Sequence, residues 1–258
     1  MSGIHPTAII TPGAQIHPTA TVGPYAVIGG QVKIGAETIV GAHTVIEGDT
    51  TIGEKNHIFH LASVGAPPQD LKYAGENTKL VIGDENQIRE FTTMHLGTVG
   101  GGGITKIGNK NLFMAYAHVA HDCIVGNGCV LANAATLAGH VEVGDHCTLG
   151  GLSAVHQFTR IGKHAFLAGG TMAVMDVPPY CIAQGDRAEL AGPNSVGLKR
   201  HGYTDEQQTR IKDAYRLLFR SKMGLNEALS QLQAEMGQYA EIALLLEFIT
   251  NSKRGITR

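Results

Sequence analysis

The chain has 258 residues, a net charge of −2, 16% charged and 43% hydrophobic residues, and 34 glycines. That balance excludes a disordered chain and leaves no basic surplus for a nucleic-acid binder. With no Trp and only 5% aromatics, the core must be filled by many small aliphatic side chains in a regular pattern.

The N-terminal MSGIHPTAII lacks a basic region followed by an apolar run, so no secretory signal is expected. No apolar run is long enough for a spanning helix, and stable membrane insertion is not expected. The expected location is the cytoplasm.

From Ile4 an aliphatic residue returns at every sixth position: Ile10, Ile16, Val22, Ile28, Ile34, Val40, Ile46, Ile52, Ile58 and Val64. The pattern reappears at Ile82, Ile88 and Met94. Shifted by one residue, it then runs from Ile107 through Phe113, Val119, Val125 and Leu131 to Leu167. Glycine often follows the aliphatic residue, as at Gly23, Gly29, Gly35 and Gly41, and a small residue precedes it by two. A period of six fits neither an amphipathic helix nor a simple alternating strand. It fits a chain that turns a corner every six residues, so that three sides make one coil of 18 residues. Aliphatic residues then point inward, and glycine is read as relieving the backbone where the turn demands it. The fold class is mainly β: a parallel β-helix of hexapeptide repeats over 1–190, followed by a small α-helical domain over 191–258.

Two segments interrupt the repeat. Residues 65–81 carry Pro, Gly and charge, and 95–106 are Gly-rich; both read as loops on a rigid scaffold, where binding residues gather. The GGGG of the second is not followed by the GK[ST] of a phosphate loop. Cys123, Cys129 and Cys147 each fall two before an aliphatic residue, and read as small core hydrophobes in a reducing compartment. Beyond DVPPY (176–180) the repeat is lost. Thr204 with Gln207 has the form of a capping box, and Gly224 separates further helices expected over 225–236 and 238–251. Lys212, Arg216 and Arg220 lie four apart on one helix face, either solvated or a dock for an acidic partner.

An unbroken 18-residue step stacks His121, Gly139 and Gln157 in one column and Asp122, His140 and Phe158 in the next, with His156 alongside. A neutral His is a natural general base. Asp122 can orient it, and a backbone N–H at Gly139 can face an oxyanion. With Cys123 read as a core residue, no Ser or Cys nucleophile stands beside the base and the oxyanion donor, so the pattern suits direct attack of a substrate hydroxyl on an acyl group. Three His around one metal ion is the competing reading, although the spacing here is H-x-x-H.

The stretches QDLKY (69–73), IRE (88–90), HLGT (95–98), AHVAHDC (117–123), LAGH (137–140), AVHQF (154–158), DVPPY, GLKR (197–200) and the final RGITR resemble the bacterial UDP-N-acetylglucosamine O-acyltransferases over essentially the whole chain. Those enzymes carry out the first step of lipid A biosynthesis. The resemblance implies a left-handed winding and a homotrimer with active sites between neighbouring prisms. It implies transfer of an (R)-3-hydroxyacyl chain from acyl carrier protein to the glucosamine 3-hydroxyl of UDP-N-acetylglucosamine. His121 matches the general base, Asp122 its partner, and the Gly139 amide the oxyanion donor. Gln69, Asp70, Lys72, His95, His118, His140, His156 and Gln157 match substrate-contacting positions, and Asn194 and Arg200 match positions that hold the nucleotide. Gly169 falls where acyl length is set, and its lack of a side chain implies a groove open to a long chain. No metal and no cofactor is implied. Leu96, Val196 and His201 depart from the residues many members carry, which leaves open a relative that acylates a 3-amino sugar. Outside the resemblance, another hexapeptide acyltransferase, a zinc-dependent lyase or hydratase, and a non-catalytic solenoid remain as alternatives.

Overall fold

The computed structural model describes residues 3–258. Strands, mostly of two residues, pair in parallel with strands one coil above and below. They form three sheets of 11, 9 and 8 strands. The first sheet begins at Gly3–Ile4, the second at Ile9–Ile10 and the third at Gln15–Ile16. Val119 pairs with Leu137 and Leu137 with Val155, which is the step of one coil read from the sequence. The architecture is a left-handed parallel β-helix. Its inward aliphatic column is sealed: Ile28, Ile46, Ile58, Ile88 and Phe113 have no exposed surface.

The glycine after each aliphatic residue serves a purpose other than the expected one. The left-handed backbone falls three residues after the aliphatic, mostly on non-glycine residues such as Tyr25, Glu37, His43 and Lys55, with φ of 58°, 57°, 59° and 54°. At Gly35 and Gly41 the constraint is space. A Cβ would collide with the Gly53 carbonyl oxygen in one case and with the His60 backbone nitrogen in the other. Glycine there lets successive coils stack; the turn itself is made by the corner residue.

The slot two before the aliphatic residue is filled as expected by buried small side chains, among them Thr38, Thr44, Thr50, Cys123, Cys129 and Cys147. All four cysteines are free and buried. Burial pushes the Cys123 thiol up to about 12, which keeps it protonated and inert.

Both interruptions are shorter than the sequence suggests. Strands Ser63–Ala66, Lys79–Ile82 and Ile104–Ile107 run into them. The reason is that Leu80 and Thr105, each two before an inward Ile, still fill the small-residue slot and are fully buried. The loops proper are 67–78 and 96–103, the latter holding a 3₁₀ turn at Val99–Gly101.

The prism has three edges. Tyr25, His43, Leu61, Phe91, Tyr116, Leu152 and Gly170 mark the edge between first and second sheets, Asp122, His140 and Phe158 the edge between second and third, and Glu37, Lys55, Glu85, Lys110, His146 and His164 the edge between third and first. The last parallel strand, Cys181–Gln184, pairs antiparallel with Glu189–Pro193, which passes through the expected boundary at 190. Four helices follow: α1 (Ser195–Arg200), α2 (Asp205–Phe219), α3 (Leu225–Met236) and α4 (Ala240–Thr250). Thr204 and Gln207 make the reciprocal capping box at the start of α2. The short α1 was not foreseen; its one local signal is Asn194, whose side chain caps it through the Gly197 N–H. The basic face of α2 is only partly solvated. Arg220 turns inward to the Leu190 carbonyl at 2.7 Å and the Tyr215 hydroxyl at 2.8 Å, and Arg216 pairs with Asp213 at 3.2 Å. The tail returns to the prism, where Asp176 exchanges backbone hydrogen bonds with Gly255 and Thr257. Among the described residues no helix is long and apolar enough to cross a membrane.

Candidate active site

Asp122 occupies a corner with φ of +60°, directly after the strand His118–Val119 and the residues Ala120 and His121. Its side chain is 1% exposed, and one carboxylate oxygen, Oδ2, lies 2.7 Å from His121 Nδ1. A carboxylate only accepts, so Nδ1 carries the proton and donates it. That tautomer leaves His121 Nε2 with a free lone pair, the state a general base requires. One coil further on, Gly139 stacks against the same ring. A Cβ built there would sit 2.5 Å from His121 Cε1 and 2.7 Å from Nε2. Among the described residues no backbone carbonyl accepts the Gly139 N–H.

His140 lies edge-on to His121 with ring centroids 5.1 Å apart, and stacks flat on Phe158 at 4.3 Å. Its pKa is lowered, first by burial and further by His121, against the opposing pull of Asp122 and Asp70. Asp70 lies on the 67–78 loop, where its carboxylate accepts the Lys72 N–H at 3.0 Å, and Gln69 and Lys72 are exposed there. His118 is bonded through Nδ1 to Thr93 Oγ1 at 2.7 Å, and His95 meets it edge-on at 5.0 Å. Burial, followed by the charges of His118 and His121, lowers the pKa of His95 to about 4. The structure brings His121, Asp122, Gly139 and His140 of the expected columns together at this edge, with the exposed Gln157 next in the His121 column, and His95 and His118, expected from the resemblance, lie beside them.

His156 is exposed beside them, and its Nδ1 lies 2.9 Å from Arg254 Nη2. The same ring nitrogen also lies 3.2 Å from the Gln157 carbonyl oxygen. Arg254 also donates to the Val174 carbonyl at 2.9 Å. Sequence reasoning missed Arg254 as a site residue, although the terminal RGITR that carries it was among the family stretches.

The remaining expected residues do not join this cluster within one chain. The Asn194 amide spans the Gly197 N–H and the His164 carbonyl, at the edge between third and first sheets, and Arg200 is exposed on α1 beside it. Gly169 lies next to Gly170, at the edge between first and second sheets. The expected catalytic, nucleotide and acyl-length positions therefore lie on three different edges of one prism.

His121, Asp122 and His140 are the one group of potential metal ligands close enough to share an ion among the described residues. Both Asp122 oxygens are already engaged. Oδ1 accepts from the Thr98 N–H at 2.7 Å, and Oδ2 from the Thr98 hydroxyl at 2.6 Å as well as from His121. That donor set suits an oriented imidazole better than a metal ligand.

A curated acyl-[acyl-carrier-protein]–UDP-N-acetylglucosamine O-acyltransferase of Myxococcus xanthus is 60% identical over 258 residues, all of both chains. The chain belongs to the UDP-N-acetylglucosamine O-acyltransferase family. A family model described as UDP N-acetylglucosamine O-acyltransferase, domain 2, matches residues 176–257, and the bacterial transferase hexapeptide model matches 13–48 and 104–139. Crystal structures of UDP-N-acetylglucosamine O-acyltransferases from Moraxella catarrhalis and Acinetobacter baumannii superpose with a TM-score of 0.96 each. They are 46% and 44% identical, and each alignment covers 99% of both chains. For a member of this family, the tautomer at His121 and the stacked Gly139 are features the reaction can use directly.

Proposed function

We propose that the protein moves an acyl group, an (R)-3-hydroxyacyl chain by resemblance, from acyl carrier protein to the glucosamine 3-hydroxyl of UDP-N-acetylglucosamine, with His121 as general base. The observation that carries this reading is the His121–Asp122 hydrogen bond, which engages Nδ1 and leaves Nε2 as the ring nitrogen available to take a proton, at an edge where the Gly139 backbone lies against the ring.

The steps balance without a covalent enzyme intermediate. His121 Nε2 takes the proton of the sugar hydroxyl as its oxygen forms a bond to the thioester carbonyl carbon. The carbonyl electron pair moves onto oxygen, and the Gly139 N–H donates to it. The pair returns, the carbon–sulfur bond breaks, and the departing thiolate takes the proton from the imidazolium. Asp122 keeps the imidazole in its working tautomer and stabilises its charged form.

The homotrimer reading has two supports. Apolar residues crowd one edge, with Tyr25 58%, Tyr116 60% and Leu152 70% exposed. The expected nucleotide and acyl-length positions lie on edges other than the catalytic one, so a complete site would need a second copy to bring them together. Sedimentation equilibrium expects a single trimeric species.

The deciding experiment is an acyl-transfer assay of the wild type and His121→Ala, with acyl carrier protein thioesters and UDP-N-acetylglucosamine. Loss of the base is expected to lower kcat by ~10²–10⁴. Full transfer by His121→Ala would remove the general-base reading and favour a non-catalytic role for this edge.

A further inference from the structure

The Gly-rich 96–103 loop has no part in the reaction as written, yet it closes directly over Asp122. Thr98 engages both carboxylate oxygens: its N–H donates to Oδ1 at 2.7 Å and its hydroxyl to Oδ2 at 2.6 Å. The direction of the second bond is fixed by a third. Thr98 Oγ1 accepts the Gly101 N–H at 3.2 Å, so its single proton is left for the carboxylate. Below, the Asp122 N–H donates to Thr105 Oγ1 at 2.8 Å. Gly101 faces the carboxylate so closely that a Cβ there would overlap it. The loop therefore grips the Asp122 carboxylate while Thr105, in the strand that follows it, holds the Asp122 backbone, and only glycine at position 101 permits the approach.

We propose that Thr98 is a positioning residue for the catalytic dyad, with the 96–103 loop as its clamp. The inference rests on His121 being the base. Two donors converge on Oδ2: the Thr98 hydroxyl and His121 Nδ1. The hydroxyl fixes the carboxylate plane, so that Oδ2 points at the imidazole. It also withdraws part of the negative charge that would otherwise hold the imidazolium too tightly. Without it the carboxylate is more basic, the protonated form of His121 is favoured, and the free base is populated only at higher pH. Thr98 does not need to touch either substrate to have this effect.

The test compares Thr98→Val, Thr98→Ser and Gly101→Ala with the wild type and His121→Ala. The readouts are kcat, KM for UDP-N-acetylglucosamine and the pH profile of kcat/KM. Thr98→Val is expected to lower kcat on the order of 10- to 100-fold, the loss seen when the outer hydrogen-bond partner of a metal-ligating side chain is removed. KM should be nearly unchanged and the acidic limb should move to higher pH. Thr98→Ser restores the hydroxyl and should restore both kcat and the limb. Gly101→Ala reaches the same carboxylate sterically, and should lower kcat even if Thr98→Val does not fold. Retention of wild-type kcat and limb by a folded Thr98→Val, failure of Thr98→Ser to rescue, or a fully active Gly101→Ala would each overturn the proposal. Inactive His121→Ala beside unaffected Thr98 variants removes only the positioning role. Active His121→Ala removes the general-base reading itself.

Discussion

His121 Nδ1 and Asp122 Oδ2 are 2.7 Å apart although the two residues are adjacent in the chain. In an extended strand neighbouring side chains point to opposite faces. Here Asp122 adopts φ of +60° at the corner, and its carboxylate lies beside the ring that precedes it. The corner of the coil thus builds the dyad.

Asp122→Asn keeps the shape and changes the proton. Thr98 donates to both oxygens, so one acceptor must become an NH₂ group facing a donor. If that group faces His121, the ring must turn to the tautomer with its proton on Nε2, and the base is lost. A kcat reduced by ~10²–10⁴ is expected with folding intact. Near-wild-type turnover measured on folded Asp122→Asn would contradict the assigned tautomer.

Gly139→Ala adds a methyl 2.5 Å from His121 Cε1, a separation no real contact tolerates. The ring must move, and a shift of that size at a reacting group costs on the order of 10²-fold in rate. Steady-state kinetics should show kcat falling while the melting temperature stays close to that of the wild type. Unchanged kcat would mean that the ring is free to move without consequence.

Acid should destabilise the protein through two buried imidazoles. His164 lies under α1, its ring 4.9 Å from those of both His146 and His201, with its Nδ1 unpartnered among the described residues. Its pKa is lowered to about 3, first by burial and then by His146, His201 and Lys163, against Asp145. His95 is held at about 4. Both are neutral when folded, and in the unfolded chain both titrate near the ordinary 6.5. Below 6.5 the unfolded chain binds protons that the folded chain refuses. The stabilisation is therefore complete above that value, and is lost as pH falls toward 4 and then 3. Urea midpoints should decline across this window, and less steeply in His164→Gln. A flat profile in the wild type would contradict the buried neutral state.

Gly169 has room for a side chain, since a Cβ would meet only the Gly151 carbonyl oxygen at an ordinary 3.5 Å. Gly169→Met is therefore expected to fold and to fill the acyl groove implied by resemblance. Competition assays with acyl carrier protein thioesters of graded length should show preference moving to shorter chains. An unchanged preference would show that the groove runs elsewhere.

The six-residue period determined the β-helix from the sequence alone. An inward aliphatic residue at every sixth position leaves the chain no other way to bury that column, and Ile28, Ile58 and Phe113 are sealed accordingly. The same arithmetic placed His121, Asp122, Gly139 and His140 together, because a rigid coil converts a fixed sequence interval into a contact. It failed where no period applies. Thr98 reaches Asp122 through an irregular loop, Arg254 reaches His156 from 98 residues away, and Asn194 caps a helix at another edge. Such contacts depend on where a loop closes and where a tail docks, and on which hydrogen bonds remain to be satisfied once it does. Only the folded chain decides them, since each gains its energy from partners with no fixed spacing in the sequence.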